Sequence, residues 1–574
     1  MYYLKKLLKY LDGYKKYLVL GPFFKLLEAI FEVTVPLVTA KIIDNGIACG
    51  DTGYIRKMSM VIILLGFAGF SFAITCQYFA AKCAFGFGTA LRSALYRHIG
   101  SFSRTETDRL GPATLTNRLI NDTNAVQTGV NMAIRLGTRV PFLIIGAIVM
   151  AMSRDVKLSL IFIAAAPVIA FIIWKVMSTT VPMYRQNQKR LDRIALLTGE
   201  SLEGIRVIRA FSKQENENRD FREASDDLSR HAIIAGKISA VLNPLTFSAV
   251  SLATVFIIWF GGIRVDTGFL TQGDITAFVS YMTQISLALV VLASLIGHFN
   301  KALSGAGRIS EILSMHSSMT DGTESITEND SPLIEFDNVS FRYDGASEDS
   351  LTGISFSLSQ GQSLGIIGGT GSGKSTIASL IPRFYDVTGG EIRIYGRNIK
   401  EYRLSELRRF VVSVPQKAAL VSGTVAENIR MGKPDASDEE VINALKTAQA
   451  WEFISKLPNG INSPVQQFGR NFSGGQKQRL TIARALVSKP SVLILDDSTS
   501  ALDMQTDLLL RKAIAEDLKD TAVIMISQRA TSLKNSDLIL VMEDGQCEGS
   551  GRNEELENSS SVYREIIEIQ KAGE

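Results

Sequence analysis

Residues 368–375 read GGTGSGKS, and G-x-x-x-x-G-K-S is a spacing that wraps a chain around phosphate. Gly368, Gly369, Gly371 and Gly373 let successive backbone N–H groups turn inward, forming an anion-binding concavity at a helix start. Thr370 and Ser372 stand between them, and Lys374 supplies a cation that reaches β- and γ-phosphates. The Ser375 hydroxyl suits Mg²⁺, which takes hard oxygen ligands, and Thr376 follows it. A flexible glycine turn would carry the same glycines without the right flanks. Here an apolar run, 364–367, precedes the loop as a buried strand, and 377–381 opens a helix.

Residues 491–496 (SVLILD) form a second apolar run ending in a carboxylate, the pattern of a buried parallel strand. An acid at the C-terminal end of such a strand lies where ligands gather on open α/β sheets. Asp496 is therefore expected on the Mg²⁺ side of the bound phosphates. The next residue, Asp497, is a second acid.

Between these two motifs stands NFSGGQKQR, 471–479. Ser473, Gly474, Gly475 and Gln476 resemble the LSGGQ signature of ATP-binding cassette (ABC) proteins, with Phe472 in place of the leucine. Other marks of that family stand in order. Tyr343 in FRYDG matches the aromatic that stacks on adenine, Gln416 in SVPQ the Q-loop glutamine, and SALD, ending at Asp503, the D-loop. The resemblance covers roughly residues 333–560. It implies ATP and Mg²⁺ as cofactors, with Ser375, Gln416 and Asp496 around the metal. It also implies two nucleotide domains meeting head to tail, each ATP held by one chain's Walker motifs and the other chain's signature.

Two residues depart from the family pattern. Asp497 occupies the position of the catalytic glutamate after the Walker B aspartate, and Gln528 in ISQR that of the switch histidine. Phosphoryl transfer asks a protein mainly for positioning and electrostatics, including a group that orients the attacking water. Aspartate keeps the charge but withdraws the carboxylate by one C–C bond, roughly 1.5 Å. Misplacement on that scale costs on the order of 10²-fold in rate. Gln528 donates an N–H but carries no positive charge, and no histidine follows His316. The pair of changes resembles one subunit of the heterodimeric bacterial multidrug exporters. There one ATP site is degenerate, and an unlike half-transporter carries the competent glutamate. The signature of this chain would serve the partner's site.

These motifs occupy only part of 574 residues, and the apolar content is uneven. Residues 1–310 are expected to form a transmembrane domain, 311–332 a linker, and 333–574 the α/β P-loop nucleotide-binding domain. Runs 58–81, 238–263 and 275–297 carry no charge and can each cross a bilayer of about 30 Å at 1.5 Å per residue. With 17–43, 140–153 and 158–174 they make six candidate spans of an α-helical bundle. Long polar segments, roughly 86–127 and 179–237, separate spans two and three and spans four and five. They are rich in arginine, and Lys5, Lys6, Lys9, Lys15 and Lys16 precede span one. By the positive-inside rule the N-terminus, both segments and the nucleotide domain are cytoplasmic in a multi-pass bacterial inner or plasma membrane protein. Arg56, Lys57, Arg154, Lys157 and Arg264 on the short outer loops blur that bias. Residues 111–123 and 200–211 resemble the two coupling-helix regions of ABC exporters, the second docking on the partner.

Charges inside the spans are the candidates for a substrate cavity. Counted from the outer helix ends, Glu28 on span one and Arg135 on span three both lie about 27 Å deep. Glu32 and Arg139 both lie about 21 Å deep. Equal depth and opposite charge suggest pairs that line a cavity or brace two helices. The segment KKLLKYLDGYKK, 5–16, reads as an amphipathic elbow on the inner leaflet rather than a cleavable signal. A net charge of +4, dispersed along the chain, gives no footprint for nucleic acid. Cys49, Cys76, Cys83 and Cys547 have neither zinc nor disulfide spacing. The expected substrate is a small amphipathic compound (a drug or lipid) exported from the cytoplasm. An ATP-gated regulatory or channel-like subunit, or a dedicated lipid or peptide exporter, are the alternatives.

Overall fold

A computed structural model describes residues 6–573; Lys5 lies outside them. The first half is helical: α1 Lys15–Lys41, α2 Thr52–Ile99, α3 Arg104–Leu110, α4 Pro112–Met152, α5 Val156–Glu203, α6 Ile205–Ala210, α7 Gln214–Asp266 and α8 Gln272–Ser314. Five of these, α2, α4, α5, α7 and α8, are long and apolar enough to cross a membrane. The first helix, α1, has the length to cross, 27 residues or about 40 Å, but carries Lys25, Glu28 and Glu32. The chain is thus a multi-pass membrane protein. Side-chain caps start the long helices. Asp51 accepts from the Tyr54 N–H (2.9 Å), Asp155 accepts from the Leu158 N–H (2.8 Å), and Thr271 and Asp274 close a capping box.

The 48-residue helices α2 and α5 are each about 72 Å long, more than twice the thickness of the hydrocarbon core. The polar segments expected between spans are the helical continuations of α2, α4, α5 and α7. The short α3 and α6 stand at the two reversals. The bundle core packs Phe162 against Phe278 (5.6 Å between ring centroids) and buries Tyr281, whose hydroxyl donates to Val33 O (3.0 Å). Two of the outer-loop arginines are neutralised locally: Arg264 pairs with Asp155, and Arg154 lies 3.4 Å from Asp274. Charges so compensated carry little topological information.

The chain divides into two compact units, one of residues Met1–Gly100 and Ala113–Met315, the other of Ser101–Pro112 and His316–Glu574. Residues Ser101–Pro112, including α3, therefore belong with the C-terminal unit. The expected first coupling region, 111–123, is displaced: apart from Gly111 and Pro112, it is the opening of α4 in the membrane unit. The boundary is a backbone event. Gly111, at φ +74°, stops α3 in a conformation that side chains resist, and Pro112 starts the next helix without needing an N–H.

The C-terminal unit holds ten strands relevant here: β1 Ile334–Phe341, β2 Leu351–Leu358, β3 Ser363–Gly368, β4 Gly389–Ile394, β5 Arg397–Asn398, β6 Val411–Val414, β7 Val492–Asp496, β8 Ala522–Ile526, β9 Leu538–Glu543 and β10 Gln546–Gly551. Strands β2-β1-β4-β5 make an antiparallel sheet, and β10-β9-β3-β8-β7-β6 a second sheet, parallel from β9 to β6. Wholly apolar strands such as VLILD belong in a sheet covered on both faces, and Val492, Leu493, Ile494 and Leu495 are buried. This is an N-terminal helical transmembrane domain followed by an α/β nucleotide-binding domain.

Candidate functional site

The phosphate loop leaves β3 and enters helix α9, Lys374–Leu380. Two of its glycines are required by contact as well as conformation. At Gly368 (φ +154°) a Cβ would come within 2.1 Å of Met542 O, and at Gly373 (φ +94°) within 2.5 Å of Leu351 Cδ2. Lys374 is buried; its ammonium donates to Gly368 O (2.9 Å), to Ser372 Oγ (3.1 Å) and to Gly369 O. Burial holds the Lys374 pKa below its ordinary value, and the nearby Asp496 and Asp497 oppose that shift.

Strand β7 delivers Asp496 to the same place. Ser375 Oγ donates to Asp496 Oδ1 at 2.8 Å, joining residues that the sequence separates by more than a hundred positions. Burial raises the Asp496 pKa, and the Ser375 hydrogen bond works against the rise. Asp497 then turns the chain with φ +45°, a left-handed value that Asp tolerates better than most residues. Gln416 Nε2 donates to Asp497 Oδ2 (3.0 Å), leaving the Gln416 carbonyl oxygen to act as an acceptor. Ser375 meets Asp496 here, and Gln416 stands on the adjacent Asp497; a hydroxyl, a carboxylate and an amide oxygen are the hard donors that suit Mg²⁺.

A cleft of about 1020 Å³ opens beside the loop, lined by Tyr343, Lys374, Ser375 and Thr376. The Tyr343 hydroxyl lies 3.2 Å from Thr376 Oγ1, and its ring meets Phe341 and Tyr385 edge-on at 4.8 and 5.4 Å. Sequence reasoning missed two parts of the lining: loop residues 345–350 and the Asp544–Gly545 turn. That turn reads in sequence as an ordinary hairpin. Its contact with the start of β2, where Thr352 N–H donates to Gly545 O (2.9 Å), is non-local and has no local signal.

Ser473 to Gln476 do not line this cleft. They begin helix α10, Gly474–Leu486, in a capping box: Ser473 N–H donates to Gln476 Oε1 (2.9 Å), and Gln476 N–H to Ser473 Oγ (3.3 Å). Phe472, in the leucine position, is buried and packs on Phe453. Asp503 caps helix α11, Met504–Asp517, accepting from Thr506 N–H at 2.9 Å. After β8, Ser527 N–H donates to Ile366 O (3.2 Å), which brings the exposed Gln528 near the end of β3. The backbone oxygen of Gln528 accepts from Gln570 (2.6 Å) on helix α12, Ser561–Gly573.

Helix α3 packs within this same unit. The Tyr385 hydroxyl donates to Asp108, the Arg104 guanidinium lies over the Phe384 ring (5.9 Å), and Glu106 accepts from the Ser318 N–H (2.9 Å). Tyr385 therefore touches α3 at one end and Tyr343 of the cleft at the other.

In the membrane unit the four candidate cavity charges separate into two outcomes. Arg139 donates to Glu32 at 2.8 Å across α1 and α4. The expected Glu28–Arg135 pair does not form, because Glu28 takes both its bonds from Lys25, 2.7 and 2.8 Å away. Lys25 stands three residues earlier on the same helix, so that pair costs less ordering than one across helices. Gln284 Nε2 lies 3.4 Å from Glu32 O, while Gln284 Oε1 and Arg139 Nε are buried without a partner among the described residues.

Comparison with known proteins fits this geometry. The family "ABC transporter transmembrane region" matches residues 18–289, and the family "ABC transporter" matches 351–500. An "ATP-dependent lipid A-core flippase" from Chromobacterium violaceum is 30% identical over 99% of this chain and 97% of its own length. A "putative multidrug export ATP-binding/permease protein", YgaD of Bacillus subtilis, is 31% identical over 99% of each. The solved structure of a bacterial Atm1-family ABC exporter with ATP bound shares the fold, with a TM-score of 0.82 at 24% identity, over 97% of this chain and 99% of that one. With one membrane domain and one nucleotide-binding domain on a single polypeptide, the chain belongs to the ABC transporter family as an exporter half-transporter.

Proposed function

We propose that this half-transporter binds ATP with Mg²⁺ in a site that cleaves it poorly, and works beside an unlike half that carries the catalytic glutamate. The observation that carries the reading is Asp497: its short carboxylate is engaged by Gln416 at 3.0 Å, and Gln528 stands at the switch position. In this reading residues 368–376 cradle the phosphates, Tyr343 stacks on the base, and Ser375, Gln416 and Asp496 hold the metal. The metal would offset charge on the phosphate oxygens. Ser473, Gly474, Gly475 and Gln476, with Asp503, face the partner's nucleotide. ATP binding closes the two nucleotide domains on the cytoplasmic side, and hydrolysis at the partner's site resets them.

The cargo is an amphipathic compound, a lipid or a drug. Relatives named for lipid A-core and for multidrug export support that class. The Glu32–Arg139 pair, with the unsatisfied Gln284 Oε1 and Arg139 Nε beside it, offers a polar headgroup both donors and acceptors. The test is the hydrolysis rate of the purified chain without its partner. Slow turnover with retained nucleotide binding supports the reading, and brisk turnover ends it.

A further inference from the structure

Where the first two helices meet the end of the apolar zone, positive charge accumulates without an answering acid. Lys16, in the first turn of α1, lies 5.1 Å from the Tyr17 ring centroid; Lys82, on α2, lies 5.2 Å from the same centroid. Lys82 also donates to the Tyr78 hydroxyl (3.3 Å). Asp12, four residues before Lys16, is taken by Lys15 at 2.7 Å, and the first turn of α1 contains no acid. Neither Lys16 nor Lys82 has a carboxylate within salt-bridge distance among the described residues. Two ammonium groups on one ring, at the positive end of a 27-residue helix, repel each other unless an anion joins them.

What runs away from this cluster is apolar and aromatic. Tyr17, Phe79, Phe24, Phe72 and Phe31 stack in succession between α1 and α2, with centroids 5.7, 5.7, 6.0 and 5.4 Å apart. These rings are half-buried, and the outer faces of the two helices beside them are exposed. Lys16 immediately precedes the first apolar run and Lys82 immediately follows the second. Both therefore stand at one level, where headgroups meet hydrocarbon. The elbow before α1 is fixed there: Leu7 and Leu11 are buried, and the Tyr14 ring lies so close to Gly86 that a Cβ would fall 2.2 Å from it.

We propose that Lys16 and Lys82 together bind the phosphate of an anionic phospholipid, whose acyl chains lie along the aromatic seam of α1 and α2. Tyr78 and Tyr17 supply hydroxyls at headgroup level, and the lipid ties the elbow to α2. This site lies on the outer face of the bundle and is separate from the Glu32–Arg139 pair offered to cargo.

The test uses the full chain in detergent, titrated with phosphatidylglycerol and followed by thermal unfolding, with phosphatidylcholine and inorganic phosphate as parallel probes. Phosphatidylglycerol is expected to raise the unfolding midpoint where the other two do not. The double variant K16Q/K82Q should weaken its apparent affinity about thirty-fold, the equivalent of ~1 kcal/mol per lysine. It should leave the lipid-free midpoint unchanged, since both side chains are exposed. The pair K41Q/K57Q removes the same charge near the other ends of the two apolar runs, 17–43 and 58–81, and should keep wild-type affinity. Equal weakening by both pairs would reduce the effect to general surface potential and overturn the proposal. So would equal protection by phosphatidylcholine or by inorganic phosphate alone.

Discussion

Replacing Asp497 by glutamate is the sharpest perturbation of the ATP site. The carboxylate accepts from Gln416 Nε2 at 3.0 Å, so it is held at the Q-loop. One added methylene extends its reach by roughly 1.5 Å. If that displacement is what limits the chemistry, correcting it restores on the order of 10²-fold in rate, about 2.7 kcal/mol of barrier. A competing cost exists, because position 497 has φ +45°, which Glu occupies less readily than Asp. That cost of ~1 kcal/mol falls on the fold and is read separately as a lowered unfolding midpoint. The assay is phosphate release by this chain co-purified with its partner, the partner's catalytic glutamate changed to glutamine so that only this site can turn over. Asp497→Glu should raise the remaining rate by about two orders of magnitude, with Asp497→Glu/Gln528→His at least as fast. Unchanged release from both variants, with nucleotide binding intact, would refute the positional argument.

Four further outcomes follow from the same geometry. Lys374→Ala should remove nucleotide from this site yet impair transport less than loss of the partner's catalytic glutamate; vesicle uptake by the two variants compares them. Ser473→Asp keeps a good N-cap for α10 but adds negative charge where the partner's γ-phosphate would lie. Transport should collapse while the unfolding midpoint holds. Tyr385→Phe removes the hydrogen bond to Asp108, worth ~1 kcal/mol, and should lower transport per ATP hydrolysed without weakening nucleotide binding. Glu32→Ala leaves Arg139 without its carboxylate and should change transport of at least one substrate; unchanged transport of every substrate tested would make the pair a brace alone.

Local patterns were readable and distant pairings were not. The phosphate loop and β7 involve neighbours within a few residues, so periodicity and turn chemistry suffice to place them. Depth counting brought Glu32 opposite Arg139 because both sit on long regular helices, where 1.5 Å per residue holds. The same arithmetic misassigned Glu28, since it weighed only distance along the helix and not the competitor three residues away. The α3 contact failed for another reason. The resemblance pointed to 111–123, whereas the contacts made by α3 within the C-terminal unit come from Arg104, Glu106 and Asp108. Charged residues on a seven-residue helix carry no periodic signal of burial, and the buried Glu106 is compensated by hydrogen bonds from Ser103 and Ser318. Those bonds hold its pKa below the ordinary range despite burial that would raise it.

The two halves of the nucleotide domain also differ in what their local chemistry leaves undone. At the signature end the capping box uses the Ser473 hydroxyl and the Gln476 amide to finish a helix N-terminus, so structure and anion recognition ask for the same residues. Loss there would destabilise α10 as well as any nucleotide it faces. At the Walker end Lys374, Ser375 and Asp496 are each engaged by their neighbours, whereas among the described residues the Asp497 side chain bonds to Gln416 alone. A carboxylate so placed can shorten by a methylene without loosening the phosphate cradle. Selection on this chain alone would then tolerate loss of cleavage at one site, provided another subunit retains it, but would not tolerate loss of the signature.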